Sequence, residues 1–306
     1  MYQNYFGLKE APFTLSPDTS YFFAYGHYTD ALNTLLIALR TGEGFIKVSG
    51  EVGTGKTLLC RKLMTTLGDK FAVVYIHNPQ LTPYGLQMAV AEELGIKGSR
   101  FVHRLQKAIS DRLIELAQQG KRVVLCIDEA QAMPEETIES LRLLTNLETE
   151  KFKLLHVVLF GQPELNELLN RRSVRQLKQR ITFSYDLQPI DRAGMDAYII
   201  HRLCIAGFQG IMPFEEKALD RIYKASRGIP RLINILCHKS MLLAYGQGQR
   251  QIRLPLLQLA IKDTEDTQMP PVTDSFWRRW VSRVATVIMI VSLSGLSMIG
   301  MQWVIT

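Results

Sequence analysis

Apolar positions along the chain fall into two kinds of run. Five short ones are rich in β-branched and aromatic residues: Phe45–Ser49, Phe71–His77, Val123–Ile127, Leu155–Phe160 and Ile181–Leu187. Between them, apolar residues recur at helical spacing near Leu58–Leu67, Tyr84–Leu94, Val102–Gln119 and Pro134–Leu147. An earlier helix, near Thr29–Arg40, places Ala31, Leu32, Leu35, Leu36 and Leu39 on one face. Near-continuous apolar strands alternating with helices predict an α/β protein whose parallel sheet of five strands is covered on both faces. After Pro189 the pattern is helical only, near Arg192–Ala206, Phe214–Ser226, Pro230–Tyr245 and Pro255–Asp263. The chain therefore divides into a core at 1–190, a small helical domain at 191–263, a linker at 264–283 containing Pro270-Pro271, and a C-terminal segment at 284–306.

That last segment has its own pattern. No charged residue follows Arg283, and the 22 residues Val284–Ile305 are almost wholly apolar. As a helix they extend about 33 Å, enough to cross a hydrocarbon layer of roughly 30 Å. Trp277, Trp280 and Trp303 stand where interfacial aromatic anchors belong. A single transmembrane helix is expected. Arg278, Arg279 and Arg283 precede it with no charge beyond, which keeps the rest of the chain cytoplasmic by the positive-inside rule. The N-terminus shows no basic start and apolar run of an export signal.

Composition adds little. With 47% hydrophobic and 21% charged residues the chain is globular rather than disordered or fibrous. A net charge of +7 permits an anionic partner without choosing among nucleotide, nucleic acid and phospholipid. Cys60, Cys126, Cys204 and Cys237 lack metal-site spacing and read as reduced thiols.

The chemistry is concentrated after the first strand. Gly50-Glu51-Val52-Gly53-Thr54-Gly55-Lys56-Thr57 fits G-x-x-x-x-G-K-[ST] between a strand and a helix. The glycines let backbone N–H groups wrap the phosphates of ATP, and the helix that continues through Leu58 adds the positive end of its dipole. Lys56 is expected to neutralise the β- and γ-phosphates, and the Thr57 hydroxyl to bind Mg²⁺. Asp128 and Glu129 end the apolar run Val123–Ile127. Two acids at the end of a buried strand need a cation or hydrogen bonds to receive them. Asp128 suits the Mg²⁺-associated carboxylate and Glu129 the group that polarises water for attack on the γ-phosphate.

Three further positions are candidates. Gln162 ends the fourth strand, on the side of the sheet that faces the phosphate loop, where its amide can orient water. Arg171, Arg172, Arg175, Lys178 and Arg180 form a basic cluster without an acid until Asp186. It is either a solvated face or the source of an Arg that reaches the nucleotide of a neighbouring subunit; Arg180, just before the fifth strand, is the first choice and Arg175 the second. Arg231, after Gly228-Ile229-Pro230 at a helix start, can approach the γ-phosphate as the small domain closes.

Taken together these residues resemble the AAA+ ATPases. Within them the chain is most similar to the ExeA (GspA)-type secretion ATPases and the related MshM-type ATPases of MSHA-pilus biogenesis. Tyr5-Phe6-Gly7-Leu8, Pro12-Phe13, Asp128-Glu129-Ala130-Gln131, Leu141–Glu148, Gly161-Gln162-Pro163-Glu164-Leu165 and Gly228-Ile229-Pro230-Arg231 carry the likeness beside the phosphate loop. The resemblance implies a strand order of 5-1-4-3-2 and a helical lid at 191–263. It also implies Gln162 as first sensor, Arg180 as arginine finger, Arg231 as second sensor, and Asn78 as a residue that restrains Glu129. ExeA-type proteins typically continue past the span into a peptidoglycan-binding domain; ending at Thr306, this chain looks closer to the pilus-biogenesis ATPases.

The expected protein is a membrane-anchored, homo-oligomeric ATPase that works with inner-membrane pilus or secretion assembly proteins. The rival is a DNA-associated P-loop ATPase regulator related to transposition-helper proteins, whose core is similar. The C-terminal span and the lack of a recognisable base-reading module weigh against a nucleic-acid partner.

Overall fold

The computed structural model describes residues 2–145 and 153–267. In chain order it contains α1 (Tyr2–Phe6), α2 (His27–Thr41), β1 (Phe45–Gly50), α3 (Lys56–Thr66), β2 (Phe71–Ile76), α4 (Pro83–Glu93), α5 (Val102–Gln118) and β3 (Arg122–Ile127). Then follow α6 (Glu135–Leu144), β4 (Leu155–Gly161), α7 (Glu164–Leu169), α8 (Arg175–Lys178) and β5 (Ile181–Leu187). The all-helical stretch is α9 (Arg192–Ile205), α10 (Glu216–Ser226), α11 (Pro230–Gly246) and α12 (Leu254–Lys262). Local chemistry sets several of these boundaries. Thr82 caps α4 by accepting from the Gly85 N–H with Pro83 in the first turn, and Asp191 caps α9 by accepting from the Gly194 N–H at 2.6 Å.

The five strands pair in the order β2-β3-β4-β1-β5, all parallel, which is the order the resemblance implies. The central strands β1, β3 and β4 are almost wholly buried, as continuous apolar runs require. Edge strand β5 alternates between half-buried and exposed positions and reads Ile-Thr-Phe-Ser-Tyr-Asp-Leu. Successive side chains feed opposite faces. In β3, Val124 and Cys126 enter one core cluster, while Val123, Leu125 and Ile127 enter the other. The first cluster also takes α2, α3, the aromatic N-terminal residues Tyr2, Phe6 and Phe13, and the inner faces of α9–α12.

Residues Met1–Thr264 form one compact unit. Of the second unit, Glu265–Thr306, the described part is a short 3-10 turn at Glu265–Thr267. Most of the expected linker and the whole expected span at 284–306 lie outside the described residues, as do Asn146, Leu147 and Glu148 of the Leu141–Glu148 motif. Among the described residues no helix is long and apolar enough to cross a membrane.

Candidate functional site

A parallel sheet carries its loops to one edge, outside the carboxyl ends of the strands. Here the loops after β1, β3 and β4 meet there, because these three strands are neighbours. The β1 loop is held from within. Lys56 Nζ donates to the carbonyls of Gly50 and Glu51 at 2.8 and 2.9 Å, and Thr54 Oγ1 donates to the Glu51 carbonyl at 2.9 Å. Tyr28 of α2 donates to the Thr54 carbonyl at 2.8 Å. Gly53 has φ of 82°, and a Cβ there would stand 2.6 Å from Arg231 Cβ. Only glycine meets both demands. Arg231 also donates its backbone N–H to the Gly53 carbonyl at 3.2 Å, so the start of α11 rests on the loop.

Lys56 is buried, and desolvation pulls its ammonium below the usual lysine range; Glu129, Asp128, Glu51 and Glu164 oppose that shift. The Thr57 hydroxyl donates to Asp128 Oδ2 at 2.7 Å, and the Glu129 N–H donates to Asp128 Oδ1 at 3.0 Å. Asp128 is fully buried, so these bonds compensate its desolvation. Two hard oxygen donors held side by side at a helix start suit a small divalent cation such as Mg²⁺. Among the described residues no group of three His, Cys, Asp or Glu gathers to bind a metal. Such a cation would complete its shell with phosphate oxygens and water.

Glu129 has φ 51° and ψ 38°, a left-handed backbone that costs a non-glycine residue about 1–2 kcal/mol. Its Oε2 accepts from Gln131 Nε2 at 2.5 Å and from Gln162 Nε2 at 3.1 Å. Asn78 is not among these partners; its side chain accepts from the Gln80 N–H at 3.2 Å.

A cleft of about 450 Å³ opens over this array. Val52, Gly53, Gly55, Lys56, Thr57, Leu58, Glu129, Gln162 and Arg231 line it; Gly50, Glu51, Thr54 and Asp128 do not, but Gly50 and Glu51 accept from Lys56, Glu51 also from Thr54, and Asp128 from Thr57. Arg180 is half-buried just before β5 and does not line the cleft of its own chain. The far wall was not anticipated from sequence. It consists of Thr14–Pro17, Tyr198, Arg202, Pro230 and Asn234. Arg202 is buried, and it donates to the Pro12 carbonyl at 2.5 Å, the Thr14 carbonyl at 3.4 Å and Tyr198 Oη at 3.1 Å. Its guanidinium lies 4.5 Å from the Tyr21 ring centroid. One buried cation thus ties the N-terminal segment to α9 within this wall.

A glycine-rich loop at a helix start, a Thr–Asp pair and a second acid beside that Asp have the chemistry to receive nucleotide phosphates. Residues 39–169 match the family described as AAA domain. The fold is the α/β P-loop AAA fold. General secretion pathway protein A of Aeromonas hydrophila is 42% identical to this chain over 255 residues, 82% of this chain and 46% of the relative. The chain thus spans less than half the length of that relative. Among solved structures, Cdc6p from Pyrobaculum aerophilum superposes with a TM-score of 0.62 at 19% identity, covering 80% of this chain and 70% of that one. The Aeropyrum pernix ORC2 protein, solved in ADPNP–ADP complexes, gives 0.58 at 16% identity over 78% and 67% of the two chains. At these identities the structural likeness concerns the AAA fold. The matched AAA domain implies nucleotide binding, typically with a divalent metal.

Proposed function

We propose that this protein hydrolyses MgATP and uses the cycle to support assembly of a secretion machine or an MSHA-type type IV pilus at the inner membrane. The observation that carries the catalytic part is the continuous array Thr57–Asp128–Glu129–Gln162, three of whose members line the cleft. ATP phosphates would lie on the Gly50–Thr57 loop, with Lys56 compensating their charge. Thr57 and Asp128 would hold Mg²⁺, which supplies charge neutralisation at the phosphates. Glu129 accepts the proton of the attacking water, and the Gln162 amide orients the reacting groups. Residues 191–263 act as a lid whose Arg231 approaches the phosphates from above. The 42% identity to General secretion pathway protein A supports the secretion setting; the pilus alternative rests on the sequence likeness.

Arg180 stands away from its own cleft, which suits action on a neighbour's nucleotide in a homo-oligomer. Arg180→Ala is expected to lower turnover roughly 1,000-fold with little loss of ATP affinity. Mixing inactive Arg180→Ala with inactive Glu129→Gln should restore part of the activity, measured as phosphate release across mixing ratios. No rescue, once mixed oligomers are shown to form, counts against action in trans and returns Arg175 to consideration.

Membrane attachment is proposed from the apolar run Val284–Ile305 and the arginines before it. The full chain should fractionate with the inner membrane and resist salt and carbonate extraction. A chain ending near Pro271 should be soluble and still bind ATP. A soluble full chain, together with aggregation of the shortened one, would instead mean a helix that packs on the protein.

A further inference from the structure

Glu129 is held by more than the strand that carries it. Gln131 and Gln162 both donate to the same carboxylate oxygen, at 2.5 and 3.1 Å. The amide oxygen of Gln131 in turn accepts from the backbone N–H of Gln162 at 3.0 Å. The three residues close a ring of hydrogen bonds between the end of β3 and the end of β4.

Two features of the backbone make that ring possible. The left-handed turn at Glu129 leads directly into the 3-10 turn Ala130–Ala132, which places Gln131 beside the carboxylate. Gly161 leaves the space that the amide fills, since a Cβ there would lie 3.2 Å from Gln131 Oε1 and 2.7 Å from Leu165 Cδ2. Gln131 itself is absent from the lining of the nucleotide cleft, whereas Glu129 and Gln162 face it. Its side chain therefore reaches the reaction only through its neighbours.

We propose that Gln131 is a positioning residue for hydrolysis, fixing the Glu129 carboxylate for attack by water and tying its orientation to that of Gln162. The proposal rests on Glu129 being the base. An untethered glutamate rotates freely about its last torsion, and a general base works only when one oxygen points at the proton it removes. Two donors on Oε2 fix the carboxylate plane and leave Oε1 to accept from water. Gln131 also anchors the residue whose amide shares Oε2. A movement of Gln162 would thus be felt at Glu129, and the Gln131 side chain is the brace between them.

The test uses the full chain with Gln131→Met and Gln131→Glu, comparing kcat and KM for ATP, the affinity of a fluorescent ATP analogue, and thermal melting. Gln131→Met should lower kcat about 10- to 100-fold while KM and analogue affinity change less than about threefold. Gln131→Glu keeps the acceptor for the Gln162 N–H and loses the donor to Glu129, so its kcat should fall at least as far. Added to Glu129→Gln, the Gln131→Met change should cost little more, because both act on one carboxylate. Wild-type kcat in Gln131→Met, or losses that track melting and affinity in both variants, would overturn the positioning role. Wild-type kcat in Gln131→Glu alone would overturn it too, by showing that only the bond to Gln162 matters. Glu129→Gln with wild-type turnover would remove the base itself, an outcome distinct from failure of the brace.

Discussion

Lys56→Ala is expected to abolish ATP binding at concentrations that saturate the parent chain. Its ammonium sits on the cleft floor, buried, donating to the carbonyls of Gly50 and Glu51 at 2.8 and 2.9 Å. Both are carbonyls of the loop that would wrap the phosphates, so a short swing carries the charge from them to the ligand. Contacts from a cation to phosphate are charge-assisted and contribute about 1.5–3 kcal/mol each. Losing two of them weakens affinity by roughly 100-fold or more. Desolvation already pulls this ammonium down from the ordinary lysine range, with the nearby carboxylates opposing, and a bound polyphosphate would favour its charged form. Alanine leaves the loop glycines and α3 in place, so the variant should still fold. Titration calorimetry with MgATP, alongside thermal melting, checks the prediction. Parent-like affinity in a folded variant would remove Lys56 from the phosphate site.

Glu129→Gln should do the opposite: preserve binding and lower turnover about 100- to 10,000-fold, the span that a positioned general base contributes. The substitution is isosteric, so the backbone turn at φ 51° is kept and an amide oxygen can still accept from Gln131 and Gln162. What is lost is a group able to take a proton from water. The variant should therefore trap ATP, visible as slow phosphate release beside undiminished analogue binding. Wild-type turnover would show that another group performs proton transfer.

Where candidate chemistry lies in a contiguous string, its motif can be read from sequence alone. The Gly50–Thr57 loop and the Asp128-Glu129 pair were legible because each motif needs only its own strand and turn. Strand positions were legible for a similar reason: burial on both faces forces continuous apolar runs, and β1, β3 and β4 have them. The helices α1, α7 and α8, of five, six and four residues, were not, since two turns or fewer carry no readable period. The far wall of the cleft was hidden by sequence distance. Arg202 bonds to Pro12 and Thr14 across 190 and 188 positions, and nothing local marks an arginine for burial. Gln131 was hidden differently. It was visible as part of a motif, but its role depends on a left-handed turn at a non-glycine residue, which propensity gives no reason to expect. Arg180 and Arg231 were candidates from their places before a strand and at a helix start, and the resemblance only named their roles; the fold brings Arg231 onto the loop at Gly53, while Arg180 does not line its own cleft.

On the reading proposed above, the Thr57–Asp128–Glu129–Gln162 array hydrolyses ATP with the aid of a divalent cation. Steady-state phosphate release by the full chain, measured with ATP in the presence and absence of Mg²⁺ and over a range of protein concentrations, tests it most directly. Turnover should require Mg²⁺ and rise more than proportionally with protein concentration as subunits assemble. Tight MgATP binding with no phosphate release at any protein concentration would contradict it, and would make the cleft a nucleotide-binding switch rather than a catalytic site.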